Sequence, residues 1–398
     1  MAAALQFPDG LDAAAFLRRY WQRAPLLMPR ALAGLDNPLP AEDLAGLACE
    51  DGAEARIVRQ LDRPDQGLPR RWEVHHGPFC EADFASLPDS HWTLLVQDVD
   101  KQVPAVGALL EAFRFLPGWR LDDIMISYAA DQGSVGPHLD DYDVFLIQVD
   151  GRRRWRISTA PDPPVAILPD QDLRILSRFE PDRDWLLTPG DMLYLPPGMP
   201  HWGVAEGPCL TWSVGFRAPA FDEITAGWLD HVARHFSPPG RWRDPPDLAP
   251  PADPAELDAG VVHGLAAVIA QTLAAAPADE LHAWLGALLT EPKENLELEP
   301  IEPPLTTAQV LDLLRVRGQL ARTGGSRLLF SRAAMPAAGD LLFANGTVHR
   351  MSAGRTGFLS LLANATMLSW AAAASWLRHR DCADVLRDLV NAGHYVLE

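Results

Sequence analysis

The segment from Leu121 to Phe216 consists of short apolar or alternating runs that are separated by Gly, Pro and Asp turn residues. The runs read IMISYAA, DVFLIQV, RWRIS, WLLTPGDMLYLPPGMPHWGV and LTWSVGF. Even spacing of such runs is typical of an all-β barrel or sandwich. The sequence therefore predicts a mainly β domain as the centre of this part of the chain.

The chain before Leu121 mixes short helical patterns with proline-punctuated loops. LDAAAFLRRYW, from Leu11, has apolar residues at helical spacing, and WTLLVQDV, from Trp92, predicts a strand. We therefore assign residues 1–220 to one barrel domain with an N-terminal α/β elaboration.

The remaining residues indicate two further domains. FDEITAGWLDHVARHF, AELDAGVVHGLAAVIAQTLAAA and LHAWLGALL are amphipathic and predict a helical domain over residues 221–298. This domain has too little chain for a deep core of its own, so we expect it to pack against a second copy. Residues 299–398 contain TTAQVLDLLRVRG, which begins with a Thr cap, then the β runs RLLFSR, GDLLFANG and TVHRMS, then a closing helix. That order predicts a compact α+β module of winged-helix type.

The charge and the cysteine content limit which partners this protein can bind and in which cell compartment it can function. The formal net charge of -19 argues against free binding to nucleic acid or an anionic membrane and is compatible with a basic partner such as an arginine-rich protein. The four cysteines are widely spaced with no C-x-x-C pair, so neither a disulfide framework nor a cysteine zinc site is indicated. The N-terminus lacks a signal-type pattern, and no long apolar run predicts a membrane span. We expect a cytoplasmic protein.

Two motifs predict a metal centre. His138 and Asp140 in PHLDD are two residues apart, which on a strand places both side chains on one face. PGDMLYLPPGMPHWGV then supplies His201 after a Gly-Asp turn, a short apolar strand and a Pro-Pro-Gly bend. Two imidazoles and one carboxylate with open positions are the ligand set of non-haem Fe(II) oxygenases. The alternative is a pair of hydrogen-bonded core histidines.

The RRRWRI segment predicts a buried cation. Asp150-Gly151 is a hairpin turn signal, and in the strand that follows Arg153 shares its face with Trp155 and Ile157. An inward arginine is costly without an anionic partner, and a carboxylate-bearing cosubstrate such as 2-oxoglutarate would supply one. Ser127, on the small-residue face of the first barrel strand, is a candidate to donate to the same carboxylate, the alternative being that it is simply a small residue of that face. A salt bridge to a protein carboxylate is the alternative.

The segments GPHLDDYDVFLIQVDGRRRWRI and PGDMLYLPPGMPHWGVAEGPCLTWSVGFRAP resemble the JmjC-type cupin oxygenases, specifically the bacterial ribosomal oxygenases that hydroxylate a ribosomal-protein arginine. The resemblance implies a double-stranded β-helix, or cupin jelly roll, followed by a helical dimerisation domain and a winged-helix-like module. It also implies Fe(II) on His138, Asp140 and His201, with 2-oxoglutarate held by Arg153 and Ser127, and O2 as the second cosubstrate. Asp141 departs from a glutamine-like position of the family, which affects substrate contacts rather than the metal.

The expected substrate is an arginine side chain of a basic large-subunit ribosomal protein, bound by a homodimeric enzyme. The residues themselves favour a cationic substrate only through Asp131, Asp141 and Asp143, the acidic residues around the predicted triad, which would attract a cationic segment. These aspartates could instead cap turns or pair with Arg152 and Arg154. Tyr142 and Trp202 flank the triad in sequence and are candidates to line the substrate channel.

Three other functions stay open on the sequence alone. They are a histidine hydroxylase of a ribosomal protein, a different metal-cupin enzyme, and a non-catalytic ribosome-assembly scaffold that kept the barrel.

Two other histidine motifs are not expected to bind the metal. We assign His349, in a second Gly-Asp-strand-His pattern, to a hairpin of the terminal module. His75 and His76 are adjacent and would face opposite sides of a strand.

Overall fold

A computed structural model of the chain describes residues 5–396 except 9, 33, 63–66, 162, 164, 245–252, 254, 256 and 333–338. It divides into two compact units. Unit 1 contains residues 1–218 with 293–299 and 323–325, and unit 2 contains the remainder. The three predicted domains, with boundaries at 220 and 298, stay a prediction.

Unit 1 is mainly β, as predicted. Its helices are α1 (Ala13–Arg19), α2 (Ala41–Leu47), α3 (Glu81–Ala85), α4 (Val99–Gln102) and α5 (Pro104–Gly107). Its strands are β1 (Leu26–Met28), β2 (Ala55–Gln60), β3 (Trp72–His76), β4 (Trp92–Val96), β5 (Leu121–Ala129), β6 (Val144–Asp150), β7 (Arg153–Ile157), β8 (Arg183–Leu187), β9 (Met192–Leu195), β10 (His201–Ala205) and β11 (Cys209–Phe216).

The strands form two antiparallel sheets. The larger has the order β1-β9-β6-β11-β5-β4-β2-β3 and the smaller the order β10-β7-β8. One apolar cluster takes residues from both sheets, including Leu146 and Leu193 of the larger and Trp155 and Leu187 of the smaller. The two sheets therefore face each other, as in the jelly roll that the resemblance implied.

Alternation along each strand separates two interiors. Ile124 and Ile126 of β5, with Trp212 of β11, join the core between the large sheet and the N-terminal helices. Ser127, from the opposite face of β5, points toward the smaller sheet. Strand β6 is buried on both faces from Val144 to Val149, which explains why these residues are apolar apart from Gln148.

The predicted hairpin at Asp150-Gly151 is wrong. Strand β6 pairs with β9 and β11, whereas β7 pairs with β8 and β10, so the turn carries the chain from one sheet to the other. The turn is tight, because Gly151 has a φ of 64° and a Cβ there would lie 2.1 Å from the Pro208 carbonyl oxygen. A two-residue turn signal predicts that the chain bends, but it does not predict which sheet the second strand joins.

Unit 2 begins with the predicted helices α6 (Phe221–Phe236), α7 (Ala259–Ala275) and α8 (Ala278–Thr290). Helices α6 and α8 pack through Trp228 and Trp284, whose ring centroids are 5.4 Å apart, and through a contact of 2.9 Å between His231 Nε2 and a carboxylate oxygen of Glu280. In the described part of the chain no single helix has the length and apolarity to cross a bilayer. The pair Ala259–Ala275 and Asp279–Thr290, bent by 78°, meets the criterion only when taken together.

The rest of unit 2 is the predicted α+β module. Helix α9 (Thr307–Arg317) begins with a capping box, in which Thr306 Oγ1 accepts from Gln309 N at 3.3 Å. The expected hairpin around His349 is confirmed, because β15 pairs with β14 and places His349 opposite Leu342. The elements after α9 are β12 (Gln319–Arg322), β13 (Leu328–Ser331), β14 (Asp340–Ala344), β15 (Thr347–Met351), α10 (Thr356–Asn364), β16 (Met367–Ser369), α11 (Trp370–Ala373), α12 (Arg380–Asn391) and β17 (Tyr395–Val396).

Candidate metal centre and barrel interior

The three predicted metal ligands come from two places in unit 1. His138 and Asp140 lie in the loop between β5 and β6, not on a strand as expected, and His201 is the first residue of β10. Two backbone hydrogen bonds join the loop to the strand: His138 N donates to His201 O at 3.0 Å, and His201 N donates to His138 O at 2.8 Å. The Gly198 N–H of the Pro-Pro-Gly bend also donates to Asp140 O at 2.7 Å. The backbone therefore fixes all three side chains relative to one another.

The side chains converge as predicted. One ligand atom from each lies within 4.8 Å of the other two. Nε2 of His201 is 3.6 Å from Oδ2 of Asp140, and Nε2 of His138 is 3.9 Å from Oδ1. Among the described residues this is the only group of three His, Cys, Asp or Glu side chains with such spacing. The donor set fits a divalent metal.

The second nitrogen of each imidazole is held by the backbone. His138 Nδ1 lies 2.9 Å from Gly136 O, and His201 Nδ1 lies 2.9 Å from Met199 O. A carbonyl partner at Nδ1 places the proton there and leaves the Nε2 lone pair for a metal. Burial lowers the pKa of His201 to about 4, so its imidazole is neutral, which is the form that binds metal. Two oriented imidazoles and one carboxylate match the facial triad of non-haem Fe(II) sites.

Arg153 is the buried cation that the strand pattern predicted. Arg153, Trp155 and Ile157 of β7 are buried, whereas Arg154 and Arg156 are partly exposed, and Arg152 is exposed. Arg153 Nη1 donates to Ser127 Oγ at 3.1 Å and to Thr211 Oγ1 at 3.4 Å.

The guanidinium of Arg153 is only partly satisfied by the barrel. Its Nε is buried with no hydrogen-bond partner, and no carboxylate of the described residues forms an ion pair with it. Burial lowers its pKa, although an arginine stays protonated in a protein. The described residues therefore do not form the internal salt bridge that was the alternative. Arg153 is a desolvated cation in the barrel interior that lacks an anionic partner among them.

The expectation that Asp143 presents its carboxylate to a cationic segment is wrong. Its carboxylate is fully buried and forms an ion pair of 2.6 Å with Arg120 Nη2. It also accepts hydrogen bonds from Tyr194 Oη at 2.6 Å and from Gln22 Nε2 at 3.1 Å. Asp143 is thus a structural residue. Its nearness to the ligands in sequence did not reveal the direction of its side chain.

The other two aspartates are exposed. Asp131 Oδ1 accepts from Gly207 N at 2.7 Å, which is the turn-capping role of the alternative interpretation. Asp141 lies 3.6 Å from Arg174 Nη1, in a pair that solvent screens on both sides. Arg154 pairs instead with Asp184 and Glu206.

The two aromatic candidates differ. The Tyr142 side chain is 42% exposed, and its pKa is raised by partial burial and then by the Asp140 carboxylate, so the phenol is neutral. Trp202 lies on the opposite face of β10 from His201, where its Nε1 donates to Ser134 Oγ at 2.9 Å and Arg156 covers its ring. Trp202 therefore does not share the strand face of the ligand His201, and a place for it in a substrate channel stays a prediction.

Among the described residues, the histidines that were set aside are not members of the metal-ligand group. His349 is on β15 in unit 2, and His75 is half exposed on β3, 3.3 Å from Glu73.

The sequence prediction missed two buried polar residues beside Arg153. Thr211 lies on β11 and Gln148 on β6, both essentially without exposure. A signal for them exists, because each is a polar residue at an inward position of a strand that is otherwise buried.

Comparison with known proteins agrees with this site. A JmjC-domain family model matches residues 108–224, a ROXA-like winged-helix model matches residues 267–396, and an AraC-like ligand-binding model matches residues 179–282. The fold and the ligand triad define a JmjC-type cupin oxygenase.

The relatives narrow this class. The ribosomal protein uL16 3-hydroxylase of Escherichia coli is 34% identical over 394 residues, which is 99% of this chain and 98% of the relative. A probable ribosomal oxygenase of Haemophilus influenzae is 39% identical over 58% of this chain and 54% of its own length. The structure of YcfD, a ribosomal oxygenase from E. coli, in complex with cobalt and 2-oxoglutarate, matches with a TM-score of 0.78 and 34% identity over 98% of this chain and 99% of that one. This chain belongs to the ribosomal oxygenase family of JmjC proteins.

We predict that replacing His138, Asp140 and His201 together by Ala removes the bound metal, from about one ion per chain to near zero. The fold should survive, because neither of the two apolar clusters of unit 1 that flank the large sheet takes a residue from the ligand loop. Elemental analysis of the purified protein measures the metal, and circular dichroism checks the fold. His75→Ala, which removes an exposed imidazole, is the matched control. Unchanged metal content in the triple variant would exclude this site.

Proposed function

We propose that this chain is an Fe(II)- and 2-oxoglutarate-dependent oxygenase that hydroxylates an arginine side chain of a large-subunit ribosomal protein. The observation that carries the proposal is the combination, in one barrel, of an oriented His-Asp-His triad and a buried arginine that lacks an anion. The full-length similarity to a uL16 3-hydroxylase supports the ribosomal substrate.

His138, Asp140 and His201 would hold the iron. Arg153, assisted by Ser127, would hold a carboxylate of 2-oxoglutarate, since a guanidinium is the side chain best matched to that group. When bound, iron and 2-oxoglutarate supply the oxidative chemistry, in which one atom of O2 enters succinate and the other enters the substrate C–H bond, with loss of CO2.

The residues of the chain orient the metal ligands and shield the barrel interior from water. The carbonyls of Gly136 and Met199 fix the imidazoles. The Trp155 ring packs 5.8 Å from the ring of His201 and 5.3 Å from the Arg153 guanidinium. The indole therefore offers an apolar surface beside both groups, and a water-poor interior of this kind strengthens the charge interactions inside it.

The charge of the chain favours a cationic substrate segment. A net charge of -19 and the exposed Asp131 and Asp141 would attract a cationic segment. Arg174, which pairs with Asp141, and Gly207, which donates to Asp131, would then give way to it. The choice of arginine over histidine rests on the resemblance to the bacterial ribosomal oxygenases. A ribosomal substrate is also the reason to propose a cytoplasmic location.

We further propose a homodimer built on α7 and its neighbours. Val262, Leu265, Ile269 and Leu273 share one face of α7 and are each more than two-fifths exposed. Soluble monomers rarely leave a contiguous apolar stripe in water. A two-fold contact would bury the stripe of each copy against the same stripe of its partner.

Arg153→Ala is expected to raise the 2-oxoglutarate concentration needed for half-maximal turnover by about a hundredfold, because a buried charge-assisted contact is lost. Arg152→Ala removes an exposed arginine and should change it little. Succinate formation, measured over a range of 2-oxoglutarate concentrations, gives both values. Equal effects of the two substitutions would contradict the role given to Arg153.

Incubation of the Fe(II) enzyme with 2-oxoglutarate and peptides of large-subunit ribosomal proteins should add one oxygen to an arginine. Fragmentation mass spectrometry locates the oxygen, and the triple metal-ligand variant is the control. Oxidation confined to histidine would replace the arginine assignment. Succinate release with no oxidised peptide would remove the ribosomal substrate, and binding without succinate would favour the scaffold.

Ile269→Glu should convert the dimer to a monomer, because it places a charge in the centre of the apolar stripe. Sedimentation at micromolar concentration measures the change in mass. Gln271→Glu introduces the same acidic side chain at an exposed position on the opposite face of α7 and should remain dimeric. A wild-type protein that sediments only at 43.6 kDa would rule the dimer out.

A further inference from the structure

Ser127, Thr211 and Gln148 form a buried polar network beneath Arg153. The four side chains are each less than 5% exposed. Ser127 and Thr211 are cross-strand neighbours on β5 and β11, and Thr211 is the neighbour of Gln148 on β6. The row crosses the inner face of the large sheet, directly opposite the strand that carries Arg153. Buried polar groups are costly unless each is hydrogen-bonded, so the direction of every bond in the row is constrained.

The constraint begins at the Gln148 amide. Its Nε2 has two hydrogens and two carbonyl acceptors, Asp150 O at 2.7 Å and Leu210 O at 3.2 Å. A carbonyl accepts and never donates, so the amino group must face these two atoms. The Oε1 atom is thereby directed toward Thr211 Oγ1, 3.2 Å away.

The orientation of the Gln148 amide fixes the direction of the hydrogen bond that Thr211 makes. A threonine hydroxyl has one hydrogen, and Gln148 Oε1 can only accept it. Thr211 Oγ1 must therefore donate to Gln148 and present its lone pairs to Arg153 Nη1 at 3.4 Å. Ser127 has the same polarity, because its Oγ accepts from Nη1 at 3.1 Å and lies 3.4 Å from Thr211 O, to which it donates. Both hydrogens of Nη1 are thus directed to the barrel wall.

We propose that Gln148 and Thr211 are positioning residues, which lock the Arg153 guanidinium in one rotation so that its Nε side remains available to a carboxylate. The inference rests on the proposed role of Arg153 toward 2-oxoglutarate and deepens it. Neither residue needs to touch the cosubstrate. A guanidinium that is fixed before binding loses less conformational entropy when the carboxylate arrives.

The test is the equilibrium affinity for 2-oxoglutarate, measured by titration calorimetry on protein loaded with Mn(II) in the absence of O2. Thr211→Val keeps the shape of the side chain and removes the hydroxyl. We expect it to weaken binding about tenfold, the typical effect of one hydrogen bond to a charged group. Thr211→Ser keeps the hydroxyl and should stay within about twofold of the wild type.

The matched control is Thr93→Val. Thr93 is also fully buried in the large sheet, and its hydroxyl also donates to an amide carbonyl oxygen, in this case the backbone Tyr128 O at 2.8 Å. Both Val variants should lower the melting temperature, whereas only Thr211→Val should lower the affinity. In turnover, Thr211→Val should raise KM for 2-oxoglutarate and leave kcat at saturation unchanged.

Gln148→Met tests whether the Gln148 amide sets the direction of the hydrogen bonds in the network. It should weaken 2-oxoglutarate binding like Thr211→Val, and the double variant should be no weaker than either single one, because both act through the same bond. Wild-type affinity in Thr211→Val, or full additivity in the double variant, would overturn the positioning role. Failure of the wild-type protein to bind 2-oxoglutarate would instead overturn the proposed function, and this inference with it.

Discussion

The strict alternation of side chains in two facing sheets is the constraint on which the rest of unit 1 depends. Each inner strand of the large sheet has one face toward the N-terminal helices and one toward the smaller sheet, and each strand of the smaller sheet has one face toward the large sheet. Whether a residue is at an odd or an even position of its strand therefore decides which face it occupies. A shift of one residue in β7 would send Arg153 outward and bring the partly exposed Arg154 and Arg156 inside. The register that buries Trp155 and Ile157 therefore also fixes the cation inside the barrel.

The triad depends on a different kind of restraint. His138 and Asp140 belong to a loop, and a loop by itself does not hold two ligands in place. The two mutual hydrogen bonds between His138 and His201 attach that loop to the smaller sheet, and the bond from Gly198 to Asp140 attaches it to the bend that precedes β10. The ligand positions are therefore set by backbone bonds, while the side chains remain free to bind.

The sequence predicted what depends on period and spacing. The β runs, the inward Arg153 and the convergence of His138, Asp140 and His201 follow from such patterns. The sequence did not predict side-chain directions that depend on tertiary neighbours. Asp143 turned to Arg120 and Gln22, residues that are distant in sequence, and Trp202 turned away from the triad. Thr211 and Gln148 were missed because their role arises only when three strands lie side by side.

The large sheet also sets how small a working fragment of this protein can be. The JmjC match covers residues 108–224, yet β1, β2, β3 and β4 precede it in the chain and form both flanks of the sheet. A fragment cut at residue 108 would turn β9 and β5 into open edges, which are templates for edge-to-edge aggregation. It would also strip Gln22 from the buried carboxylate of Asp143. The N-terminal hundred residues, which carry none of the ligands, are thus what keeps the catalytic sheet soluble.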